Sequence, residues 1–519
     1  MQSNRIVDNS SLLVVQVEPP QQEDGGDYYY RTYAPGLAMA REEGVYVINL
    51  TNVHRAKEDI MRKADVLILK NICDADILPL IKERKQQKKL TVYELADDIC
   101  AVPPWNPTHF FYKDQENLLL FKRLAGYCDT MQFSVPELQR LYSYLTPCSA
   151  VFLNQITDVP SERNYEHSKD IIIGWGGSHG HLEDMAQIAE PLIDWIISRD
   201  KVKLILMCSD PIWSLFERLP KMRKQRFKTG SLNEYYAFLK QIDIGLAPLK
   251  NTGFNRSRSD VKFLEYAVFG VVPIAQAAAP YVSTVKDGET GFLFEDTAGM
   301  LNILDMLADD VACIPQVARA AREYVVKERL QQSHSQERTA FYRTQLRMLN
   351  NGNGEKADAG GIFEAFADIE GAMRDGRYLK LTSTRFENLL HDGLVLSQVE
   401  EEKVSAWSAF SEAFRAEPDN YLPYLFGASC SKDTAGCLAQ AVEINPHSLK
   451  SWILMGEEYA RQGDIMKSIK CFESAAKIFP EYEIPYLRTA ALLQKLGHKE
   501  ESMSLFDKCK AMILPLQGP

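Results

Sequence analysis

The sequence predicts an α/β chain, with two doubly wound parallel-sheet units in succession followed by an all-helical repeat segment. Three observations carry this expectation. Short apolar, β-branched runs alternate with helical patterns from Leu12 to Ala275, which is how parallel sheets with crossover helices read. A glycine-rich turn directly follows the buried run Asp170–Ile173, with the order Gly174-Trp175-Gly176-Gly177-Ser178-His179-Gly180-His181. Towards the C-terminus the apolar spacing changes to a helical-repeat period of about 34 residues.

The first unit, 1–160, is expected to hold strands at Leu12–Val17, Val45–Leu50, Val66–Leu69 and Thr91–Leu95. Helices fall at about Arg55–Lys63 and Leu78–Lys89. Gly25, Gly26, His54, Asn71, Asp97 and Asp98 lie just past strand ends, where open α/β sheets bind ligands, although each also suits a turn or a cap. The Asp97-Asp98 pair has the chemistry for acid–base work or for a divalent cation, but no complementary ligand cluster accompanies it. From Phe110 to Leu145 the pattern is helical, with SVPELQRLY as a capped helix start.

The second unit, 161–349, begins with the strand Asp170–Ile173 and its glycine turn, whose backbone N–H groups suit a phosphate. The helix Leu182–Ser198, the strand Lys203–Cys208, the helix in SLNEYYAFL and the strand Ile242–Ala247 follow. The basic run Arg218–Lys228 reads as a solvated face, with contact to an anionic membrane as the alternative. The chain then reaches GFNRSRSDVKFLEYAVFGVVPIAQAAAPYVSTVKDGETGFLFED, from Gly253 to Asp296. Ser259 is the expected N-cap of its helix, Asp260 favours the first turn, Gly270 is the stop, and Val271–Ala275 is a buried strand. Lys262 and Glu265 share one helix face near that N-terminus. With Arg256 and Arg258 added, the helix start favours a diphosphate, and Glu265, one turn deeper, can accept hydrogen bonds from sugar hydroxyls.

The run from Ser259 to Asp296 resembles the nucleotide-sugar site of retaining glycosyltransferases of the GT-B fold, family 4. The resemblance implies two Rossmann-like domains with a nucleotide diphosphate sugar between them as donor substrate, and neither a cofactor nor a catalytic metal. It implies transfer to a glycan, lipid-linked or protein acceptor in the synthesis of cell-surface polysaccharide or glycoconjugates. Lys262, Glu265 and Arg256 are then the catalytic candidates. Gly176, Gly177, Ser178, Arg258, Ser259, Lys262 and Glu265 are the donor-binding set, and Asp97-Asp98 is acceptor-side or structural. The family has a pair of glutamates, the second at the position of Glu265; Ser257 holds the position of the first. Many members also place an arginine and a lysine after the glycine turn, where this chain has His179 and His181, so phosphate charge falls on Lys262, Arg256 and Arg258. The missing glutamate keeps one alternative open, a catalytically inactive scaffold binding sugars or proteins; a second alternative is another GT-B enzyme, a nucleotide-sugar epimerase.

Ile314–Leu349 reads as one or two long helices, and family 4 chains end with a helix crossing back to the first domain. Residues 350–380 are expected to be a linker, on the composition of NNGNGEKADAGG. In 381–519, Trp452, Gly456, Tyr459, Phe472, Ala475 and Pro480 match the tetratricopeptide pattern. Tyr486, Ala490, Leu493, Phe506 and Cys509 stand one period later, and WSAFSEAFRAEP and CLAQAVEINP look like second helices of two further repeats. Such arrays bind a protein partner or pack on their own enzyme domain.

Composition bounds these readings. In 519 residues, 59 Lys and Arg against 70 Asp and Glu give a net charge of −11, which argues against general nucleic-acid binding. Ten cysteines are scattered singly, so no zinc or disulfide framework is expected and a reducing cytoplasm fits. MQSNRIVDNSSLLVVQVEPP lacks the features of a signal peptide, and no apolar run is long enough to span a bilayer. The expected location is the cytoplasm, with peripheral contact at the inner face of the membrane as an extension.

Overall fold

The structure, a computed structural model, describes residues 11–20, 25–106, 108–165, 170–350, 358–369, 371–381 and 385–517. The first parallel sheet is built from β1 (Leu12–Glu18), β2 (Val45–Thr51), β3 (Val66–Lys70), β4 (Leu90–Leu95), β5 (Thr130–Phe133) and β6 (Ser149–Val151). Helices cover both its faces, which is why β1 and β3 are mostly apolar with little alternation and why β1, β3 and β4 are buried along their whole length. The second sheet comprises β7 (Ile171–Gly176), β8 (Val202–Met207), β9 (Lys224–Phe227), β10 (Ile244–Ala247), β11 (Val272–Gln276) and β12 (Phe292–Phe294). Its six strands are all parallel, in the order β12-β11-β10-β7-β8-β9. The expected architecture is therefore present: two Rossmann-like sheets and an all-helical C-terminal region.

Three stretches depart from the sequence reading. Within Phe110–Leu145 the helix Gln115–Tyr127 stops, and TMQF forms β5, a strand too short to show a period of its own. Part of the basic run Arg218–Lys228 is the edge strand β9, and its charges are largely spent within the domain. Arg223 donates to the carbonyls of Val202 (2.8 Å) and Ile196 (2.7 Å), and Lys224 to that of Phe216 (2.6 Å). Arg226 pairs with Asp210 at 2.6 Å, and Arg218 with Glu190 and Asp194 at 2.7 Å.

The third departure is the expected linker, 350–380. Residues 351–357 and 370 lie outside the described residues. The remainder forms the helix Ala359–Ala367 and a hairpin of β13 (Ala372–Asp375) and β14 (Tyr378–Leu381), turning at Gly376 with φ of 55°. Strand β14 pairs in parallel with β2, Tyr378 against Val47, which makes the first sheet eight-stranded in the order β13-β14-β2-β1-β3-β4-β5-β6. Phe363, Phe366, Leu379 and Leu381 are the reason, since they enter the same core as Leu13 and Ile48. The linker's composition belongs to NNGNGEKADAGG, which lies ahead of these apolar residues.

The helices Cys313–Glu328 and Gln331–Asn350 carry the chain back from the second sheet to the first. Tyr342 donates to Gln132 at 2.7 Å and Thr339 to Glu42 at 2.7 Å, fixing the second helix on the first sheet. The hinge is thus double-stranded. Ile156 N–H donates to the Arg329 carbonyl and Gln331 N–H to the Ile156 carbonyl, both at 2.8 Å.

Beyond Arg385 the chain is helical. The helices Glu483–Lys495 and Lys499–Ile513 repeat Leu449–Arg461 and Ile465–Ile478 with an offset of 34 residues. Within the first of these pairs the helices meet closely at Gly456, where a Cβ would stand 2.6 Å from the Phe472 ring. The array packs against the first domain. Leu449, Ile453, Phe472, Phe479 and Tyr482 join the core that holds Leu78, Phe121 and Leu124. Asp76 accepts bonds from Tyr421 Oη (2.9 Å), Ser448 Oγ (2.8 Å) and Lys450 N–H (3.0 Å). Arg123 meets Glu483 at 2.6 Å, with both side chains buried.

Removing one partner of a buried ion pair costs roughly 3–5 kcal/mol. Cutting at Asn350 removes Glu483, strand β14 and the apolar face against Phe121 together. A 1–350 fragment is accordingly expected to be insoluble or molten. A soluble fragment melting within a few degrees of the whole chain would refute this docking.

Candidate functional site

The two sheets face one another across a cleft of about 840 Å³. From the second domain it is lined by the turn Gly176-Gly177-Ser178 with His181, the loop Thr229-Gly230-Ser231, Tyr235, and Arg258, Ser259, Lys262 and Glu265. From the first domain come Gly25, Gly26, Asp27, Tyr30, Arg31, Asp97, Ser134 and Asn154. Of the sequence candidates, Gly176, Gly177, Ser178, Arg258, Ser259, Lys262 and Glu265 are therefore brought together. Arg256 is not. It is exposed at the end of the short helix Gly253–Arg256 and donates to Asn251 at 3.0 Å.

The organising helix runs Val261–Val268 and ends before Gly270, whose φ of 68° is the expected left-handed stop. Its N-cap is Asp260 rather than Ser259, and the Ser259 hydroxyl instead accepts from Asn154 Nδ2 of the interdomain crossing at 3.0 Å. The Asp260 side chain does not cap. It takes Arg329 Nη1 and Nη2 at 2.6 and 3.1 Å and Thr284 Oγ1 at 2.8 Å.

Lys262 Nζ donates to the Gly176 carbonyl, lies 3.4 Å from Tyr235 Oη and stands over the rings of Tyr235 and Trp175, at 5.2 and 5.7 Å. Burial lowers its pKa, opposed by Glu265 and reinforced by Arg258. Glu265 is only 5% exposed, with Tyr235 donating to one oxygen at 2.8 Å and Tyr30 of the first domain to the other at 3.0 Å. Burial raises its pKa, while Lys262 and both tyrosines pull it down. Arg258 packs over Phe254 at 4.7 Å and reaches Asp97, the strand-end carboxylate, at 3.7 Å across the cleft.

His181 Nδ1 bonds Asp184 at 2.8 Å. That carboxylate also accepts from Lys250 N–H (2.8 Å) and Asn255 Nδ2 (2.9 Å), so the imidazole donates to it and Nε2 is left as an acceptor. Burial pushes the His181 pKa down to about 4 and the ring is neutral at pH 7. His179 stands outside the cleft wall, 3.4 Å from Ser209 Oγ. Phosphate charge in this cleft would thus fall on Arg258 and Lys262.

Among the other strand-end candidates, Gly25, Gly26 and Asp97 line the cleft. His54 is buried, its Nδ1 accepting from Ala56 N–H at 3.2 Å, and burial pushes its pKa down to about 4. Asn71 is a left-handed turn residue with φ of 51°. Asp98 caps the turn Ile99–Ala101 and accepts from Tyr142. Tyr30, Tyr235, Ser134 and Asn154 needed the structure. Ser257 is fully buried and does not reach the cleft, so no polar group enters it from that position. Among the described residues no group of three or more His, Cys, Asp or Glu is arranged to hold a metal ion, and no helix is long and apolar enough to cross a membrane.

No family model and no curated protein matches this chain. Solved structures do. Anabaena Alr3699/HepE in complex with UDP-glucose matches at 11% identity over 64% of this chain and 100% of its own, with a TM-score of 0.49. A glycosyltransferase from Rickettsia africae ESF-5 matches at 13% identity over 65% of this chain and 99% of its own, with a TM-score of 0.47. Sucrose-phosphate synthase from Thermosynechococcus elongatus matches at 15% identity over 65% and 100%, with a TM-score of 0.46. Matches at these scores say nothing of what this chain binds.

The turn requires its glycine. A Cβ at Gly177 would lie 2.7 Å from the ring of Trp175, which is itself 1% exposed. Gly177→Ala should therefore cost roughly 1–3 kcal/mol by overpacking and displace the backbone of the turn that lines the cleft. A melting temperature and a ligand affinity both equal to wild type would refute the close approach.

Proposed function

We propose that this chain is a retaining glycosyltransferase of the GT-B, family 4-like type, using a nucleotide diphosphate sugar held between the two domains. The observation that carries the reading is the placement of Arg258 and Lys262 opposite the Gly176-Gly177-Ser178 turn, inside a cleft lined by both domains. Two cations and a glycine-rich strand-to-helix turn suit a diphosphate. Glu265, beside them, suits ribose hydroxyls. In the transfer, the acceptor hydroxyl oxygen bonds to the anomeric carbon as the bond from that carbon to the diphosphate oxygen breaks. The acceptor's proton leaves with the diphosphate. The protein's part is to stabilise the charge developing there, for which Lys262 and Arg258 are the groups in place. Retention of anomeric configuration, the family 4 assignment and the tetratricopeptide character of the array rest on the sequence resemblance.

A second reading keeps the same cleft but no turnover: a sugar-binding scaffold. It is favoured by Ser257, buried where the family's first glutamate stands. Release of free nucleoside diphosphate only in the presence of an acceptor separates transfer from this reading and from an epimerase.

Lys262→Ala removes a charge-assisted contact of roughly 1.5–3 kcal/mol. Donor binding or turnover is expected to fall at least about tenfold with the melting temperature nearly level. Unchanged kinetics in a folded variant would take Lys262 out of the site.

A further inference from the structure

We propose that Tyr235 is the positioning residue of this cleft, holding Lys262 and Glu265 in one hydrogen-bonded line against the ligand's phosphates. The inference rests on the nucleotide-sugar reading of the cleft. Tyr235 sits on the helix Leu232–Leu239, whose start is fixed by a reciprocal capping box between Ser231 and Glu234. Its ring stacks on Phe238 with centroids 5.9 Å apart and planes at 22°. On another side it is wedged against the glycine turn, since a Cβ at Gly176 would stand 2.8 Å from it. The hydroxyl has one proton, and Glu265 Oε2, 2.8 Å away, takes it. The oxygen's lone pairs are then free to accept from Lys262 Nζ at 3.4 Å. One phenol therefore touches the glycine turn, the ammonium and the carboxylate at once.

Tyr30 provides the comparison. It donates to the other oxygen of Glu265 at 3.0 Å, from the first domain, and among the described residues makes no bond to Lys262. Tyr30→Phe breaks one arm of the line, and Tyr235→Phe breaks it in the middle while keeping the ring under the ammonium. The charged and titratable groups facing Lys262 are Glu265 on its own helix, Arg258 before it, His181 from the glycine turn and Tyr235. Lys262 is already held low by burial and by Arg258. Removing the hydroxyl takes away an acceptor that favours the ammonium, so the lysine deprotonates at lower pH. Binding that needs the ammonium is present below that pKa and lost as pH rises through it.

The test is titration of the full chain with UDP, ADP and GDP by calorimetry between about pH 6.5 and 9.5. For the nucleotide that wild type prefers, Tyr235→Phe should weaken binding at least roughly fivefold at neutral pH, and the alkaline loss of affinity should begin at lower pH. Tyr30→Phe should leave that onset in place. Where Tyr235→Phe melts too early to titrate, 3-fluorotyrosine at 235 keeps the packing while weakening the acceptor, and should move the onset the same way. A wild type that binds none of the three nucleotides brings down the nucleotide-sugar reading and this inference with it. A wild type that binds, with Tyr235 variants of equal affinity and onset, overturns the positioning role alone. A Tyr30→Phe variant shifting the onset equally also overturns it.

Discussion

The cleft depends on a buried pair at the hinge, Asp260 with Arg329, which are 7% and 5% exposed. Arg329 closes the helix that returns from the second domain. Beyond the bidentate pair it donates to the Asn154 carbonyl at 2.7 Å and to Gln155 Oε1 at 3.0 Å, on the strand crossing the other way. Asp260 is the residue immediately before the helix that carries Lys262 and Glu265. The outgoing chain, the returning chain and the start of the Lys262 helix are thereby knotted at one point. A pair this well bonded can repay the desolvation of its two charges, and losing either partner would strand the other in a dry interior.

From that point the cleft is built as two charged walls. The second domain presents Arg258 and Lys262 with Glu265, and the first presents Asp27 and Asp97 with Arg31. Asp27 is held by the buried Lys70 at 2.7 Å, and burial raises the Asp97 pKa against the pull of Arg258. The contacts Tyr30 to Glu265, Asp97 to Arg258 and Trp105 Nε1 to the Gly180 carbonyl (3.3 Å) all bridge the walls. Each ties one wall to the other, and the charge pair of Asp97 with Arg258 gives that cation a partner within the protein itself.

Much of this was legible in the sequence for a definite reason. Strands such as LLVVQV and VLIL are apolar on both faces because helices cover both faces, and that pattern survives in a single sequence. The helix of Lys262 and Glu265 was legible because charge, spacing and the Gly270 stop agree over a short stretch. The failures share one cause, which is that tertiary partners decided what local composition could not. Strand β5 is four residues long and exists because β4 and β6 flank it. Strands β13 and β14 were hidden behind glycines and aspartates, and only the open edge of β2 makes them strands. Arg256 and Arg258 are two residues apart with the same chemistry. The short helix Gly253–Arg256 turns one to solvent and leaves the other in the cleft. Tyr30 and Tyr235 lie in aromatic runs whose residues look interchangeable until Glu265 selects one from each.

The parallel pairing of β14 with β2 bears on how the molecule is made. The first sheet takes strands from Leu12 to Val151 and then waits for Tyr378. On the ribosome, the whole second domain emerges in between and can close its own six-stranded sheet first. Until Tyr378 arrives, the free edge of β2 and the apolar patch awaiting Phe363 are open to any passing strand. The interval is one in which a chaperone has something to hold.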